Sequence, residues 1–161
     1  MVTGLPGTGK TTFAEALAQA TESVHLSLDD EILGRKSPLG GGDATGAALD
    51  PLLSQVSRQL ASGRNVVVDG ALYKSHYRLP FMRLAKRGDA DLRWIELHAQ
   101  PMVAEARLRQ QAVNPRSAVD RYNRLKDLYE PLDRSHLVLW SDQLSVEEMI
   151  MRVLDFLALP A

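Results

Sequence analysis

The sequence predicts an α/β fold of three layers, in which helices cover both faces of a five-stranded, mainly parallel sheet. Short strand-like runs alternate along the chain with helical patterns, as they do in consecutive β-α units. Residues 66–68 are apolar without alternation, which is typical of a strand covered on both faces. A glycine-rich motif separates the first apolar residues from the first helical pattern. We expect a single domain over residues 1–161, with the strand before this motif at the centre of the sheet.

The composition is that of a globular protein and excludes several kinds of function. The 161 residues are 45% hydrophobic and 24% charged, and the formal net charge is −1, so no overall positive field favours nucleic acid. The sequence contains no cysteine, which excludes disulfides, thiolate metal sites and cysteine catalysis. No apolar run approaches the roughly 18 residues of a membrane span, and no signal peptide is recognisable. We expect a cytoplasmic protein without a membrane partner.

The glycine-rich motif at residues 4–11 matches the pattern G-x-x-x-x-G-K-[ST] at every fixed position. Its glycines let the backbone turn tightly and bring N–H groups against phosphate oxygens. Lys10 offers an ammonium group to the outer phosphates and Thr11 a hydroxyl to Mg²⁺, while the following helix points its positive dipole end at the same anion. The residues expected to bind the nucleotide are Gly4, Pro6, Gly7, Thr8, Gly9, Lys10, Thr11 and Thr12.

The remaining elements are predicted from periodicity and from the residues that end each run. Strands are predicted at residues 24–28, 66–68, 92–97 and 137–140. Only three residues precede Gly4, so the first strand is short or the natural chain begins further upstream. Helices are predicted at residues 11–20, 47–62, 75–87, 101–113, 117–129 and from 145 onward. Residues 34–46, after a short helical turn, are rich in Gly and Pro and predict a loop.

The final helix has both a start signal and an apolar pattern. Ser145 and Glu148 form a capping-box pattern at its beginning. Its buried side is expected to carry Val146, Met149, Ile150, Val153, Leu154 and Leu157.

Two carboxylates are expected at the carboxyl ends of strands, where parallel sheets bind their ligands. Asp29 follows the second strand, and its carboxylate is the expected general base that takes the proton of an acceptor hydroxyl. Asp69 ends the run Val-Val-Val-Asp, and we expect it to reach the Mg²⁺ shell together with Thr11. The alternatives are that Asp29 and Asp30 cap a helical turn, and that Asp69 and Gly70 form an ordinary turn.

A basic stretch in the second half of the chain predicts a mobile lid. It contains Arg107, Arg109, Arg116, Arg121, Arg124 and Lys126. Phosphoryl transfer depends on charge stabilisation, and cations that close over the transferred group supply it. The break from Gln111 to Pro115 predicts a hinge, and residues 107–121 a lid. We expect Arg107 and Arg116 to act on the transition state, with Arg109 a weaker candidate; the alternative is a solvated helix face.

Two further side chains are assigned from their position along the chain. His25 alternates within a predicted strand and is expected to be structural. Arg78 belongs to a polar cluster at residues 73–78 that closely follows Asp69, so we expect it to contact the substrate. A solvated helix start is the alternative for this cluster.

Several short motifs occur in an order that resembles a known family. They are the phosphate-binding loop, Ser-Leu-Asp-Asp at 27–30, Val-Val-Val-Asp-Gly-Ala-Leu-Tyr at 66–73, the arginine-bearing lid and Tyr-Glu-Pro at 129–131. Together they resemble the small P-loop kinases related to polynucleotide 5′-kinase and zeta toxin, within the P-loop NTPase superfamily. The resemblance implies a nucleoside-kinase-like fold, ATP and Mg²⁺ as cofactors, a general base at Asp29, an Asp69 near the metal, and lid arginines on the phosphates.

The sequence departs from this family on the acceptor side. Ile32 stands where such kinases often carry an arginine, and Arg35 lies one turn further on. Ala-Leu follows Gly70 where Thr-Asn is frequent, and Gln111 stands where a second lid arginine would be spaced four residues from the first. We therefore expect Asp29, Arg35 and Arg78 to line the acceptor pocket and Arg116 to replace the missing lid arginine.

The sequence predicts an ATP-dependent phosphotransferase that moves the γ-phosphate to a hydroxyl of a small molecule or nucleotide. Its partners are a nucleoside triphosphate, ATP or GTP, and the hydroxyl-bearing acceptor. One alternative is a P-loop protein that binds or hydrolyses ATP without an acceptor. Others are a toxin-like kinase acting on a nucleotide sugar and a nucleic-acid 5′-end kinase, which the net charge does not favour.

Overall fold

The computed structural model describes residues 1–34 and 44–158, which form a five-stranded parallel sheet between helices. The strands are β1 (Val2–Thr3), β2 (Val24–Ser27), β3 (Val66–Asp69), β4 (Ile95–His98) and β5 (Leu137–Trp140). They are ordered β2-β3-β1-β4-β5, and every ladder is parallel. The three-layer fold with the loop-bearing strand at its centre is thereby confirmed.

The described residues form seven helices. They are α1 (Lys10–Ala20), α2 (Leu28–Gly34), α3 (Ala44–Ala61), α4 (Ser75–Arg87), α5 (Pro101–Gln111), α6 (Pro115–Asp127) and α7 (Val146–Ala158). Within the described ranges, no helix combines the length and the apolarity that crossing a membrane requires. The helix α2 starts at the last apolar residue of the second predicted strand, so Asp29 lies in its first turn rather than in a preceding loop.

Other boundaries also differ from the sequence prediction, and two of them differ by three residues. The helix α3 begins at Ala44, three residues before the predicted start, so the end of the predicted glycine-rich loop is helical. The strand β4 begins at Ile95 rather than at residue 92. The predicted break between two lid helices lies at residues 112–114, between α5 and α6.

The two faces of the sheet bury separate apolar clusters, because alternate residues of each strand point to opposite sides. One cluster joins the sheet to α1 and α7, and the other joins it to α3 and α4. The first includes Val2, Phe13, Leu17, Ile95, Leu97 and Val153, and the second Leu52, Val68, Phe81 and Trp94. Polar residues are found at the carboxyl ends of the strands.

Two glycines let the phosphate-binding loop pack directly on its neighbours. Gly4 has a φ of 144°, and a Cβ at this position would lie 2.2 Å from the carbonyl oxygen of Leu97 in β4. Gly7 has a φ of 79°, and its Cβ would lie 2.5 Å from the carbonyl oxygen of Ala104 in α5. Both conformations and both close approaches require glycine. The loop is therefore fixed between β4 and α5.

The start of α7 confirms the capping box, whereas its buried side is narrower than the periodicity suggests. The backbone N–H of Ser145 donates to Glu148 Oε2 at 2.8 Å, and the N–H of Glu148 donates to Ser145 Oγ at 3.2 Å. Val153 is fully buried, but Leu154 and Leu157 are 44% and 41% exposed. The two leucines therefore lie outside the core, because α7 packs on only one layer.

Candidate active site

The phosphate-binding loop opens into a cleft of about 410 Å³ at the carboxyl edge of the sheet. Its walls are the start of α1, the first turn of α2, the helices α5 and α6, and the segment after β5. Six of the eight residues expected to bind the nucleotide line it: Pro6, Gly7, Gly9, Lys10, Thr11 and Thr12. Gly4 and Thr8 shape the loop instead, because Gly4 abuts β4 and the hydroxyl of Thr8 donates to the Leu5 carbonyl at 2.8 Å.

The loop presents the N-terminus of α1 to the cleft. Gly9 is the N-cap residue, with a φ of 82°, and no side chain caps the helix there. The first backbone N–H groups of a helix lack partners within the helix, and the helix dipole adds positive potential at the same end. This end of α1 is thus suited to binding a phosphate group.

Lys10 is held inside the loop, with only 5% of its surface exposed. Its Nζ donates to the carbonyl oxygen of Leu5 at 3.2 Å. Burial lowers the pKa of Lys10, Arg121 adds to this effect, and the carboxylates of Asp29 and Asp69 oppose it. A buried ammonium in the phosphate-binding loop gains a favourable electrostatic interaction when phosphate oxygens enter the cleft.

Asp69 is fully buried, and both of its carboxylate oxygens are engaged. Thr11 Oγ1 donates to Oδ2 at 2.9 Å, and His25 Nε2 lies 2.7 Å from Oδ1. A hydroxyl and a carboxylate side by side are the hard oxygen donors that Mg²⁺ prefers. Thr11 and Asp69 therefore fit a Mg²⁺ site, in which the ion would supply charge neutralisation to the phosphates.

The role of His25 in orienting Asp69 was missed by sequence reasoning. The register pairs His25 with Val67, two residues before Asp69 on the same face of β3, so its ring reaches the carboxylate from the neighbouring strand. The usable signal was the polar residue on β2 two positions before the strand end. Outer hydrogen bonds of this kind orient metal ligands.

We predict that His25→Phe raises the Mg²⁺ concentration needed for half-maximal ATP turnover by about 10–100-fold, because Asp69 loses its orienting partner. A Mg²⁺ titration of ATP consumption measures this change. His76→Phe, at an exposed histidine of α4, is the matched control and should behave as wild type. An unchanged Mg²⁺ requirement in His25→Phe would contradict the assignment.

Asp29 borders the same cleft and forms an ion pair with a residue of α6. Its Oδ1 lies 3.2 Å from Nη2 of Arg121 in α6. Arg116, which was expected to act on the transition state, is exposed in the first turn of α6 and is not among the residues that line the cleft. Five residues of α-helix rotate a side chain by about 140°, so Arg116 and Arg121 cannot share a face. In the structure, Arg121 is the α6 arginine at the cleft.

Arg107 lies in the cleft and ties α5 to two other elements. Its Nη1 donates to Ser141 Oγ at 2.9 Å and lies 3.4 Å from the Gly7 carbonyl oxygen, and its Nη2 donates to the Ser141 carbonyl at 3.0 Å. The guanidinium therefore stands between the phosphate-binding loop and the end of β5. Arg109, the weaker candidate, forms a surface ion pair with Glu105 at 3.5 Å.

Arg78, which the sequence predicts to contact the substrate, is buried and binds backbone carbonyls of the fold. It is 2% exposed, and its guanidinium donates to the carbonyls of Leu72 at 2.7 Å, Pro131 at 3.0 Å and Glu130. The side chain also lies over the ring of Tyr129. It fastens the chain leaving α6 to the start of α4. The other predicted acceptor residue, Arg35, lies outside the described residues.

We predict that Arg78→Lys lowers the free energy of unfolding by at least about 2 kcal/mol, since one ammonium cannot satisfy three diverging buried carbonyls. Urea unfolding measures the loss, and ATP affinity should stay unchanged. Arg83→Lys, at an exposed arginine of the same helix, is the control. Normal stability of Arg78→Lys combined with a raised KM for the acceptor would instead support the sequence prediction that Arg78 contacts the substrate.

A second buried carboxylate, Glu96 in β4, binds the segment that follows α6. It is 7% exposed, accepts a hydrogen bond from Tyr129, and lies 3.1 Å from His98 Nε2 and 3.5 Å from His136 Nε2. Burial alone would raise the pKa of Glu96, but the hydrogen bonds from His98 and Tyr129 and the positive charge of the histidines lower it below its usual value. The ionised carboxylate is therefore favoured in the fold.

A depressed folded-state pKa makes the stabilisation by Glu96 complete above the unfolded value near 4.5, and it is lost as pH falls through the folded value. We predict that Glu96→Gln lowers the free energy of unfolding by about 1–3 kcal/mol at pH 7 and flattens its decline below pH 4.5. Urea unfolding across this pH range is the measurement, with Glu15→Gln, at an exposed residue, as control. An unaltered acid limb in Glu96→Gln would contradict the assignment.

Comparison with known proteins places the chain in a family. A family profile described as an AAA domain matches residues 1–132. A Thermococcus gammatolerans protein named "Putative adenylate kinase" is 35% identical over 98 residues, which are 54% of this chain and 55% of that protein. The chain thus spans about half the length of the curated relative it matches.

Solved structures resemble the whole chain at lower identity. The Mycobacterium tuberculosis APS kinase, in complex with AMPPNP and APS, has a TM-score of 0.76 and 21% identity, over 97% of this chain and 94% of its own. A sugar kinase from Janibacter sp. HTCC2649 has a TM-score of 0.73 and 20% identity, over 97% and 91% of the two chains. At such identity these likenesses concern the fold, and they confirm the resemblance to small P-loop kinases. The chain belongs to the AAA domain family and has the fold of a small P-loop kinase.

Proposed function

We propose that the protein is an ATP-dependent phosphotransferase whose acceptor is a hydroxyl of a small molecule or nucleotide. The observation that carries this proposal is the position of Asp29, whose carboxylate borders the same cleft as Lys10. A protein that only binds ATP needs the loop and the Mg²⁺ ligands. A carboxylate beside them, outside the Thr11–Asp69 pair, is what an acceptor hydroxyl requires as a proton acceptor.

In the proposed reaction, the acceptor oxygen forms a bond to the γ-phosphorus while its proton passes to the carboxylate of Asp29. The bond between the γ-phosphorus and the bridging oxygen breaks, and ADP leaves with that oxygen. Lys10 and Arg107 stabilise the charge on the phosphates, and Thr11 and Asp69 would hold Mg²⁺. Asp69 is unsuited to be the base because both its oxygens are engaged by Thr11 and His25.

A second candidate is a nucleoside monophosphate kinase, in which the acceptor is a phosphate rather than a hydroxyl. It is favoured by the 35% identity to the relative whose name refers to adenylate kinase. A phosphate acceptor is already ionised and needs no general base, so the two functions differ in their dependence on Asp29. The names of the structural neighbours, APS kinase and sugar kinase, agree with a hydroxyl acceptor.

The test is a screen of ATP consumption with sugars, nucleosides, nucleoside monophosphates and oligonucleotide 5′ ends as acceptors. The proposal predicts that a hydroxyl-bearing compound stimulates ATP consumption and is itself phosphorylated, and that Lys10→Ala removes both signals. Stimulation by AMP alone would favour the second candidate. Rapid ATP hydrolysis that no acceptor changes would favour a hydrolase and contradict the proposal.

A further inference from the structure

We infer that Arg121 is a catalytic arginine that moves from Asp29 to the transferring phosphoryl group, and that the Asp29–Arg121 ion pair is the resting arrangement of these two residues. The inference rests on the proposed function and extends it. It assigns the missing lid charge to Arg121, at a position that the spacing of lid arginines in the sequence does not indicate.

The position of Arg121 favours this role. Together with Lys10 and Arg107 it supplies the cations among the described residues that line the cleft. Gln111, where a second lid arginine was expected, also lines the cleft but contributes only a neutral amide. A nucleoside triphosphate brings several negative charges into the cleft, so a third cation that lines the cleft would stabilise those charges.

The ion pair itself is poorly suited to a structural role. The side chains of Arg121 and Asp29 are 45% and 35% exposed, and exposed ion pairs add little to stability. Arg107 differs, since its guanidinium is committed to Ser141 and to the Gly7 carbonyl. A phosphoryl group with two or more charged oxygens offers Arg121 bidentate hydrogen bonds that compete well with one carboxylate contact.

This movement of Arg121 would couple the base, Asp29, to the binding of the phosphate donor. While Nη2 of Arg121 holds Oδ1 of Asp29, this oxygen already accepts a hydrogen bond from the guanidinium. When the γ-phosphate draws Arg121 away, the carboxylate becomes available. The acceptor proton then passes to Asp29 as the oxygen–phosphorus bond forms and ADP departs. Oδ1 of Asp29 would therefore become available as a proton acceptor when a phosphoryl group is in place.

The test measures the affinity of the protein for Mg²⁺–ADP with and without aluminium fluoride, which mimics the phosphoryl group in the transition state. In wild type, aluminium fluoride should tighten ADP binding strongly. Arg121→Gln should lose on the order of 10²-fold of this gain while its affinity for ADP alone stays within about twofold of wild type. Arg121→Lys should recover part of the gain. Arg124→Gln, at an exposed arginine of the same helix, should match wild type.

The variant Asp29→Asn separates this role from a merely structural contact. Releasing Arg121 from its resting partner should keep or increase the gain from aluminium fluoride, and Asp29→Asn/Arg121→Gln should lose that gain. Equal losses of this gain in the two single variants would show that the ion pair has only a structural role, and would overturn the inference. A gain of wild-type size in Arg121→Gln would overturn it as well. If wild type shows no gain at all, the proposed function fails first and the inference fails with it.

Discussion

Replacing Lys10 by alanine is expected to lower ATP turnover by at least about 10²–10³-fold, which is the loss when one preorganised donor is removed from a transition state. Lys10 is buried within the loop, where its Nζ is held by the Leu5 carbonyl beside the N-terminus of α1. The ammonium therefore needs little reorganisation to reach the outer phosphates. ATP affinity should fall as well, because the same contact exists in the ground state.

Acceptor-dependent ATP consumption and calorimetric binding of ATP together measure these two effects. Lys126→Ala, which removes an exposed lysine of α6, is the matched control and should keep both near wild type. Circular dichroism confirms that the variants are folded. Turnover within tenfold of wild type in Lys10→Ala would refute the assignment of the phosphate-binding loop as the donor site.

Replacing Asp29 by asparagine is expected to leave ATP binding intact and to lower kcat by about 10²–10⁴-fold, the usual contribution of a general base. Asparagine preserves the shape of the side chain but cannot accept the acceptor proton. Since Asp29 lies in the first turn of α2 and not in the phosphate-binding loop, the backbone that binds ATP should be undisturbed.

Acceptor-dependent kinetics and ATP titration of the same preparation separate the two halves of the site. Asp30→Asn is the matched control, because Asp30 is its exposed neighbour in the same helical turn. Full transfer activity in Asp29→Asn would exclude Asp29 as the base. That outcome would favour an acceptor that is already ionised, such as a nucleoside monophosphate.

The fold was predictable from the sequence because its signals are local. The phosphate-binding motif fixes a strand, a turn and a helix within a dozen residues, and the run ending at Asp69 identifies a buried neighbouring strand. The helices α4 and α5 begin at the predicted residues, Ser75 and Pro101. Only the boundaries moved, for example where the Asp29 turn became part of a longer helix.

The acceptor side was less predictable because it depends on register and helix rotation. Arg78 follows Asp69 closely in sequence, yet its side chain turns into the interior to bind carbonyls about 50 residues away. His25 reaches Asp69 only through the pairing of β2 with β3. Sequence spacing within α6 could not show whether Arg116 or Arg121 faces the cleft, since this depends on how α6 packs against α5.

The most direct test of the account is a single-turnover experiment with ATP labelled on the γ-phosphate and the acceptor found by the screen. Wild type should move the label from ATP to the acceptor hydroxyl, and Asp29→Asn should bind ATP but leave the label on it. Release of the label as inorganic phosphate regardless of acceptor, or transfer by Asp29→Asn at the wild-type rate, would contradict a kinase that uses Asp29 as its base.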